Sequence, residues 1–154
     1  MTSATGTTAG ARFVLTFDSK SCRWCSACEL ACSLHHEGQC RPSAARLRLR
    51  IDQFKGKSSA VLCHQCRKPF CLLACLEEAI VIDQRTGAPV ILAERCNGCG
   101  ACAEACPFNK EGLVVRLDEE MGTYVKCDLC GGVPECVEVC PTSALKCVSA
   151  KGRQ

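Results

Sequence analysis

Aromatic side chains and methionine are scarce in this 154-residue chain, in which aromatic residues make up only 5% and methionine occurs twice. The hydrophobic fraction is 47%, but that figure includes 18 cysteines. A chain of this length forms one or two small domains. Because its conventional core is thin, we expect folding to depend on bound groups as well as on side-chain packing.

Long apolar runs and nucleotide-binding motifs are also missing. No stretch approaches the ~18 consecutive apolar residues of a membrane-spanning helix, so we expect no direct membrane span. The sequence contains no glycine-rich dinucleotide fingerprint, no P-loop and no convincing pairing of a nucleophile with a base. We therefore expect no catalytic residue in this chain, and any flavin or nicotinamide would bind to another subunit.

The first residues show no export pattern. Residues 1–20 lack a charged segment followed by an apolar segment, and they lack a twin-arginine signal. Residues 1–10 consist mainly of Thr, Ala, Gly and Ser without periodicity, which predicts a flexible tail. These features favour a cytoplasmic protein.

Cysteine dominates what is present. Sixteen of the 18 cysteines form four groups of four, each opening with a CxxC pair and closing four residues after its third cysteine. The groups are Cys22, Cys25, Cys28 and Cys32; Cys63, Cys66, Cys71 and Cys75; Cys96, Cys99, Cys102 and Cys106; and Cys127, Cys130, Cys136 and Cys140. The third group is followed by Pro107, and the second and fourth groups widen the gap before their third cysteine. The four groups are variations on one template.

This template is the ligand run of bacterial ferredoxins, in which three thiolates hold one 4Fe-4S cluster and the fourth reaches a second cluster. Sixteen thiolates predict four 4Fe-4S clusters. A disulfide framework is the first alternative, but such frameworks belong to secreted chains and no export pattern is present. Four-sulfur zinc sites are the second, but they use two separated CxxC pairs rather than this repeated register.

Local patterns predict a repeating unit of a strand or hairpin, a tight cysteine loop and a short helix. Phe13 to Phe17 reads as a strand, and the run after Cys25 reads as a short helix closed by Gly38. Two hairpins are predicted in the second half, from Ala79 to Ile82 with Pro89 to Leu92, and from Leu113 to Leu117 with Thr123 to Lys126. The expected fold class is α+β, with two bacterial-ferredoxin-like modules around the clusters.

The formal net charge of +3 omits the anionic clusters and is weak evidence for nucleic acid, so we expect no nucleic-acid partner. Arg46, Arg48 and Arg50 alternate with apolar residues, which predicts a half-buried strand. Its arginine face is interpreted as solvated, with docking to an acidic partner as the alternative.

Five residues outside this scheme are interpreted conservatively. Cys40 and Cys147 lie outside the groups, and free cysteines are usually small buried hydrophobic residues rather than reactive thiols. His35, His36 and His64 are assigned to surface or packing positions, because every group already holds four ligands.

Taken together, residues 22–140 resemble the four-cluster ferredoxin-type subunits of multi-subunit redox enzymes. The run Cys28-Glu-Leu-Ala-Cys-Ser-Leu-His-His and the compact length look most like the small iron-sulfur subunit of tungsten enzymes of the aldehyde:ferredoxin oxidoreductase family. The short gap between Cys130 and Cys136 departs from the dimethyl sulfoxide reductase type. The resemblance implies a double ferredoxin-like domain over residues 11–150 with no catalytic site of its own.

The resemblance also implies how the groups pair. The first group would pair with the fourth, and the second with the third. Four ligand sets follow: Cys22, Cys25, Cys28 and Cys140; Cys127, Cys130, Cys136 and Cys32; Cys63, Cys66, Cys71 and Cys106; and Cys96, Cys99, Cys102 and Cys75. Pairing of consecutive groups is the alternative, which spacing alone leaves open.

The expected function is relay of single electrons between a large tungsten or molybdenum pterin subunit and a flavin/NAD-binding subunit or a ferredoxin. The alternatives are a stand-alone polyferredoxin, or the electron-transfer subunit of a hydrogenase, formate dehydrogenase or carbon monoxide dehydrogenase. A redox-sensing regulator is disfavoured, since little chain remains for an effector domain. A relay with two ends also allows head-to-tail oligomers. Oxygen-labile clusters suit an anaerobic or facultative cell.

Overall fold

The structure is a computed structural model that describes residues 11–150, so the predicted flexible tail over residues 1–10 lies outside the described residues. Within residues 11–150, four short α-helices alternate with four two-stranded antiparallel sheets. The elements are β1 (Phe13–Phe17), α1 (Ala27–Glu37), β2 (Arg48–Asp52), β3 (Lys57–Val61), α2 (Phe70–Leu73), β4 (Ile80–Ile82), β5 (Pro89–Ile91), α3 (Ala101–Ala105), β6 (Val115–Asp118), β7 (Thr123–Lys126), α4 (Glu135–Glu138) and β8 (Leu145–Ser149). This small α+β fold, rich in cysteine and short hairpins, confirms the predicted ferredoxin-like class.

The two ends of the described chain form one unit, which we call the outer module. Strand β1 pairs with β8 from Phe13 opposite Ser149 to Phe17 opposite Leu145. Helix α1, from the first cysteine group, packs against α4, from the fourth group. Leu15, Leu129 and Leu145 are buried between these elements. The fold therefore brings together groups that lie farthest apart in the sequence.

The middle of the chain forms a second unit, which we call the inner module. Helix α2, from the second cysteine group, packs against α3, from the third group. Ile80, Val114 and Val115 form its buried core together with cysteines of both groups. The inner module is inserted into the outer one, because its sequence lies between the first and fourth groups.

Both predicted hairpins of the second half are confirmed, as the β4–β5 and β6–β7 sheets, with ends shifted by one or two residues. The loops of the two hairpins share one hydrogen-bonding pattern. The N–H of Gly87 donates to the carbonyl of Asp83 at 2.8 Å, and the N–H of Gly122 donates to the carbonyl of Asp118 at 2.8 Å. Both glycines have a φ near +67°, a conformation that favours glycine.

The β2–β3 sheet confirms the strand predicted around Arg48, but its arginine face is only partly solvated. Arg50 is exposed and pairs with Glu111. Arg48 instead lies 3.5 Å from the buried carboxylate of Glu29, and Arg46 lies 2.9 Å from Asp128. The interpretation as a solvated face is therefore wrong for two of the three arginines, because neighbouring elements supply carboxylates.

Helix α1 ends at Gly38 as predicted, and Gly38 has a φ of +67° with its N–H bonded to the carbonyl of Leu34. Each of the other helices has four or five residues and contains the third cysteine of its group. Within residues 11–150, no helix has the length and apolar character needed to cross a membrane.

Candidate metal centres

A cavity in the inner module, which we call cavity A, is lined by four cysteine side chains from two groups. Cys63, Cys66 and Cys71 come from the second group, and Cys106 closes the third. The pKa of the Cys66 thiol is raised first by burial and then by the neighbouring Cys63 and Cys106. The four sulfurs are therefore close enough to influence one another.

A second cavity in the inner module, cavity B, has the reciprocal composition. Cys96, Cys99 and Cys102 come from the third group, and Cys75 closes the second. The two groups thus exchange their fourth cysteines. The resemblance implies the same exchange for the second and third groups, and the assignment of these cysteines to bound clusters stays a prediction.

The outer module gathers the remaining groups around α1 and α4. Cys28, Cys32 and Cys136 are buried in one core, and Cys127 and Cys140 pack against it. Burial raises the pKa of Cys136, and Cys127, Cys32, Cys130 and Cys28 raise it further. Cys32 of the first group therefore lies with thiols of the fourth. Cys22 and Cys25 are less enclosed, Cys25 being exposed.

The backbone of the four cysteine loops repeats one unusual feature. The residue directly before the second cysteine has a positive φ in every group, at Trp24, Gln65, Gly98 and Leu129, with values from 45° to 74°. For a non-glycine residue this left-handed conformation costs about 1–2 kcal/mol. Successive N–H groups in such turns form concave anion sites, as around iron-sulfur clusters. The repeated strain therefore fits loops shaped around an anionic group.

Backbone amides also donate hydrogen bonds to three of the sulfurs. The N–H of Arg46 lies 3.2 Å from Cys32 Sγ, that of Ala79 lies 3.3 Å from Cys75 Sγ, and that of Tyr124 lies 3.4 Å from Cys96 Sγ. Hydrogen bonds of this kind stabilise thiolate sulfur and tune cluster potentials. The donors to Cys32 and Cys96 come from other segments of the chain, so tertiary packing sets them, whereas Ala79 lies four residues after Cys75 in the same segment.

Burial disfavours the ionised form of several of these thiols. Burial raises the pKa of Cys28 and Cys102 to about 11 and that of Cys127 to about 12. Thiolates at these positions need a positive charge nearby, and iron ions supply it when a cluster is bound. The donor set, the cavities and the strained loops fit 4Fe-4S clusters, while the sixteen individual ligand roles stay predictions.

Histidine placement adds detail that the sequence did not reveal. His36 is nearly buried, and its Nε2 lies 3.9 Å from Cys130 Sγ and 3.4 Å from Asp128. Burial lowers its pKa to about 4. His64 is exposed and stacks on Phe108 with ring centroids 3.8 Å apart. Packing positions are thus found for both side chains.

The two cysteines outside the groups differ from each other. Cys147 lies in β8, partly buried against the outer core. Cys40 is exposed, so the expectation of a buried residue is wrong there, because the chain after Gly38 runs along the surface. The sequence also missed Asn109, whose hydrogen bonds all reach residues within six positions of it, and Lys126, whose burial depends on long-range packing; both are described below.

Comparison with known proteins agrees with this geometry. The 4Fe-4S dicluster domain family matches residues 55–150. The chain is 43% identical, over 86% of its length and 75% of the relative's, to the polyferredoxin-like subunit of aliphatic sulfonate oxidoreductase from Pyrococcus furiosus. It is 32% identical to the electron transport protein HydN of Escherichia coli K12, covering 89% of this chain and 87% of HydN.

Among solved structures, the fold resembles a chain of the active site complex BamBC of benzoyl coenzyme A reductase. The TM-score is 0.52 at 23% identity, over 92% of this chain and 81% of the other. That likeness supports the fold alone. The family match and the two relatives, added to the cysteine geometry, establish that the chain belongs to the 4Fe-4S dicluster domain family of ferredoxin-like electron-transfer subunits.

Proposed function

We propose that this chain is the electron-transfer subunit of a tungsten or molybdenum pterin oxidoreductase of the aldehyde:ferredoxin oxidoreductase type. It carries four 4Fe-4S clusters and relays single electrons between the active site of a large subunit and a flavin/NAD-binding subunit or a ferredoxin. The observation that carries the proposal is the 43% identity to a polyferredoxin-like subunit of an aliphatic sulfonate oxidoreductase. The chain itself supplies no catalytic residue.

The arrangement of the cysteines supports a continuous relay. We assign Cys63, Cys66, Cys71 and Cys106 to the cluster of cavity A, and Cys96, Cys99, Cys102 and Cys75 to the cluster of cavity B. The outer module holds the other two, with Cys22, Cys25, Cys28 and Cys140 as one set and Cys127, Cys130, Cys136 and Cys32 as the other. When bound, each cluster accepts or donates one electron.

Contact between the two modules brings a cluster set of the outer module close to one of the inner module. Cys127 packs against the outer core and also against the inner core. The neighbouring Cys63 raises the pKa of Cys127 after burial does. The cluster set that contains Cys127 and the set of cavity A therefore face each other across the boundary between the modules.

Exposed apolar side chains flank both modules, as expected of a subunit that docks at two ends. On the inner module these are Phe70, Leu73, Leu76 and Phe108, with Leu76 91% exposed. On the outer module they are Leu30, Leu34, Val133 and Val139. A free carrier with an evenly polar surface would place fewer such side chains in solvent.

A second candidate function is a stand-alone electron carrier. It is favoured by the likeness to HydN, which is named an electron transport protein and which the chain covers over 87% of its length. The two candidates differ in whether a catalytic partner remains attached.

Anaerobic purification of the tagged chain from its native cell separates the two. Co-elution with a large subunit and with tungsten or molybdenum, measured by mass spectrometry and elemental analysis, supports the relay subunit. Iron alone on a monomer contradicts it and supports the free carrier. Assays of the complex with aldehydes and with aliphatic sulfonates then identify the substrate class, and mass photometry tests the head-to-tail oligomer, which a single sharp stoichiometry contradicts.

A further inference from the structure

Lys126, the last residue of β7, is 2% exposed and is the only buried basic residue within residues 11–150. Its ammonium donates to the carbonyl of Pro89, and to the carbonyl of Cys127 at 3.1 Å. Both acceptors are neutral. The positive charge is therefore enclosed by the protein without an acidic partner in direct contact.

The ion pairs of the described residues confirm this isolation. None of them includes Lys126, whereas Arg46, which donates to the backbone carbonyl of Lys126, pairs with Asp128 at 2.9 Å. A buried ammonium without a counter-charge is strongly unfavourable, and buried charges in proteins are normally compensated. Something anionic must therefore lie within reach of Lys126.

Cavity A supplies that position, because Lys126 lines it together with Cys63, Cys66, Cys71 and Cys106. A cluster held by four thiolates is anionic and is the missing counter-charge. Cavity B differs, since it is lined by Glu77 and by no basic side chain.

We propose that Lys126 is a fixed buried charge that raises the midpoint potential of the cluster in cavity A above that of the cluster in cavity B. The proposal rests on the proposed four-cluster relay and assigns its inner module an order of reduction. Adding one electron makes a bound cluster one charge more negative. A fixed positive charge in a site of low dielectric stabilises this added charge most where it is closest.

The location gives the charge a further role in the relay. The carbonyl of Cys127 accepts one hydrogen bond from Lys126 and another, at 3.0 Å, from the fully buried side chain of Gln65. Lys126 thus stands where the outer and inner modules meet. An electron that reaches the inner module is held at cavity A, next to the boundary, rather than at cavity B.

The test is an anaerobic redox titration of the four-cluster chain, followed by electron paramagnetic resonance, with iron content measured on each sample. Lys126→Gln removes the charge but keeps a hydrogen-bond donor, and Lys126→Met removes both. Lys110→Met is the matched control, because Lys110 is exposed and the change in net charge is the same. Lys126→Arg keeps the charge.

In Lys126→Gln and Lys126→Met, the ratio of reduced to oxidised cavity A cluster at a fixed potential is expected to fall at least tenfold. For a one-electron couple that is a shift of about 59 mV to more negative values. Lys126→Arg and Lys110→Met are expected to keep the wild-type value. Unchanged potentials in both charge-removing variants, with full iron content, overturn the proposal.

If the Lys126 variants lose a cluster, a second comparison tests which cavity holds the cluster of higher potential. Cys106→Ser and Cys75→Ser each remove one ligand, from cavity A and cavity B respectively. The proposal requires that Cys106→Ser abolish the inner-module signal of higher potential and that Cys75→Ser abolish the lower one. The reverse order overturns it. If the wild-type chain binds no iron-sulfur cluster when it is reconstituted with iron and sulfide, that result contradicts the proposed function itself.

Discussion

Phe13 and Ser149, near opposite ends of the chain, are direct partners in the antiparallel β1–β8 sheet. The backbone N–H of Phe13 additionally bonds to the carbonyl of Thr86 in the inner module at 2.9 Å. Strand β1 therefore connects β8 to the loop between β4 and β5 of the inner module. It holds the first cysteine group beside the fourth, and the following predictions test that arrangement and the contacts that maintain it.

The nested pairing of groups predicts which cysteines lose their metal together. Cys140→Ser is expected to remove one cluster, lowering the iron content by about four atoms per chain. Alkylation and mass spectrometry should then find Cys22, Cys25 and Cys28 newly accessible. Labelling of Cys96, Cys99 and Cys102 instead would support pairing of consecutive groups. Cys147→Ser, in the same segment but outside the groups, should leave iron unchanged.

Gly98 is predicted to tolerate no side chain. It has a φ of +74°, and a Cβ at this position would collide with the carbonyl oxygen of Gly122. Gly112 has a φ of +68° but open space around it, so Gly112→Ala is the control. We expect Gly112→Ala to cost about 1 kcal/mol through backbone strain alone. Gly98→Ala should lower the anaerobic melting temperature clearly more, and equal effects would contradict the predicted collision.

Asn109 is predicted to be the main support of the loop between α3 and β6. Its amide nitrogen donates to the carbonyls of Ala103 and Val115, and its oxygen accepts the N–H groups of Val114 and Val115. Asn109→Ala removes all four bonds, which should destabilise the chain by about 2–4 kcal/mol. Asn109→Asp keeps the acceptor but places a carboxylate oxygen against the carbonyls of Ala103 and Val115, so a loss at least as large as that of Asn109→Ala is expected in anaerobic thermal unfolding.

Glu29 is predicted to fasten α1 to the β2–β3 sheet. Its buried carboxylate accepts the N–H of Leu49 at 3.1 Å and lies 3.5 Å from Arg48. Glu29→Ala leaves a backbone donor without its partner and should cost about 2–3 kcal/mol. Glu29→Gln retains an acceptor for Leu49 and should cost less. If the two variants melt at the same temperature, the hydrogen bond to Leu49 contributes little.

The elements that the sequence predicted well are those set by neighbours in the chain. Local turn chemistry determines the Asp83–Gly87 and Asp118–Gly122 loops and the end of α1 at Gly38. Each of these features could therefore be predicted from neighbouring residues in the sequence. The cysteine register likewise fixed the expected chemistry. The exposed position of Cys40 was not visible, because burial depends on what packs above a segment.

Long-range contacts explain the remaining differences. Nothing beside Arg46 or Arg48 in the sequence indicates that Asp128 and Glu29 approach them from other elements. Lys126 likewise appeared as the end of an ordinary strand, and only the fold shows that it is enclosed. The exchange of Cys75 and Cys106 between cavities is a property of α2 packing on α3, which spacing could not decide.

The insertion of one module inside the other sets an order of assembly during synthesis. All eight cysteines of the inner module precede Cys127 in the chain, so they leave the ribosome before the fourth group is made. The outer module cannot close until α4 and β8 have emerged to meet α1 and β1. A chain truncated late in translation would therefore keep all eight cysteines of its inner half, while the cysteines of its first group would lack the fourth group that packs beside them in the complete fold.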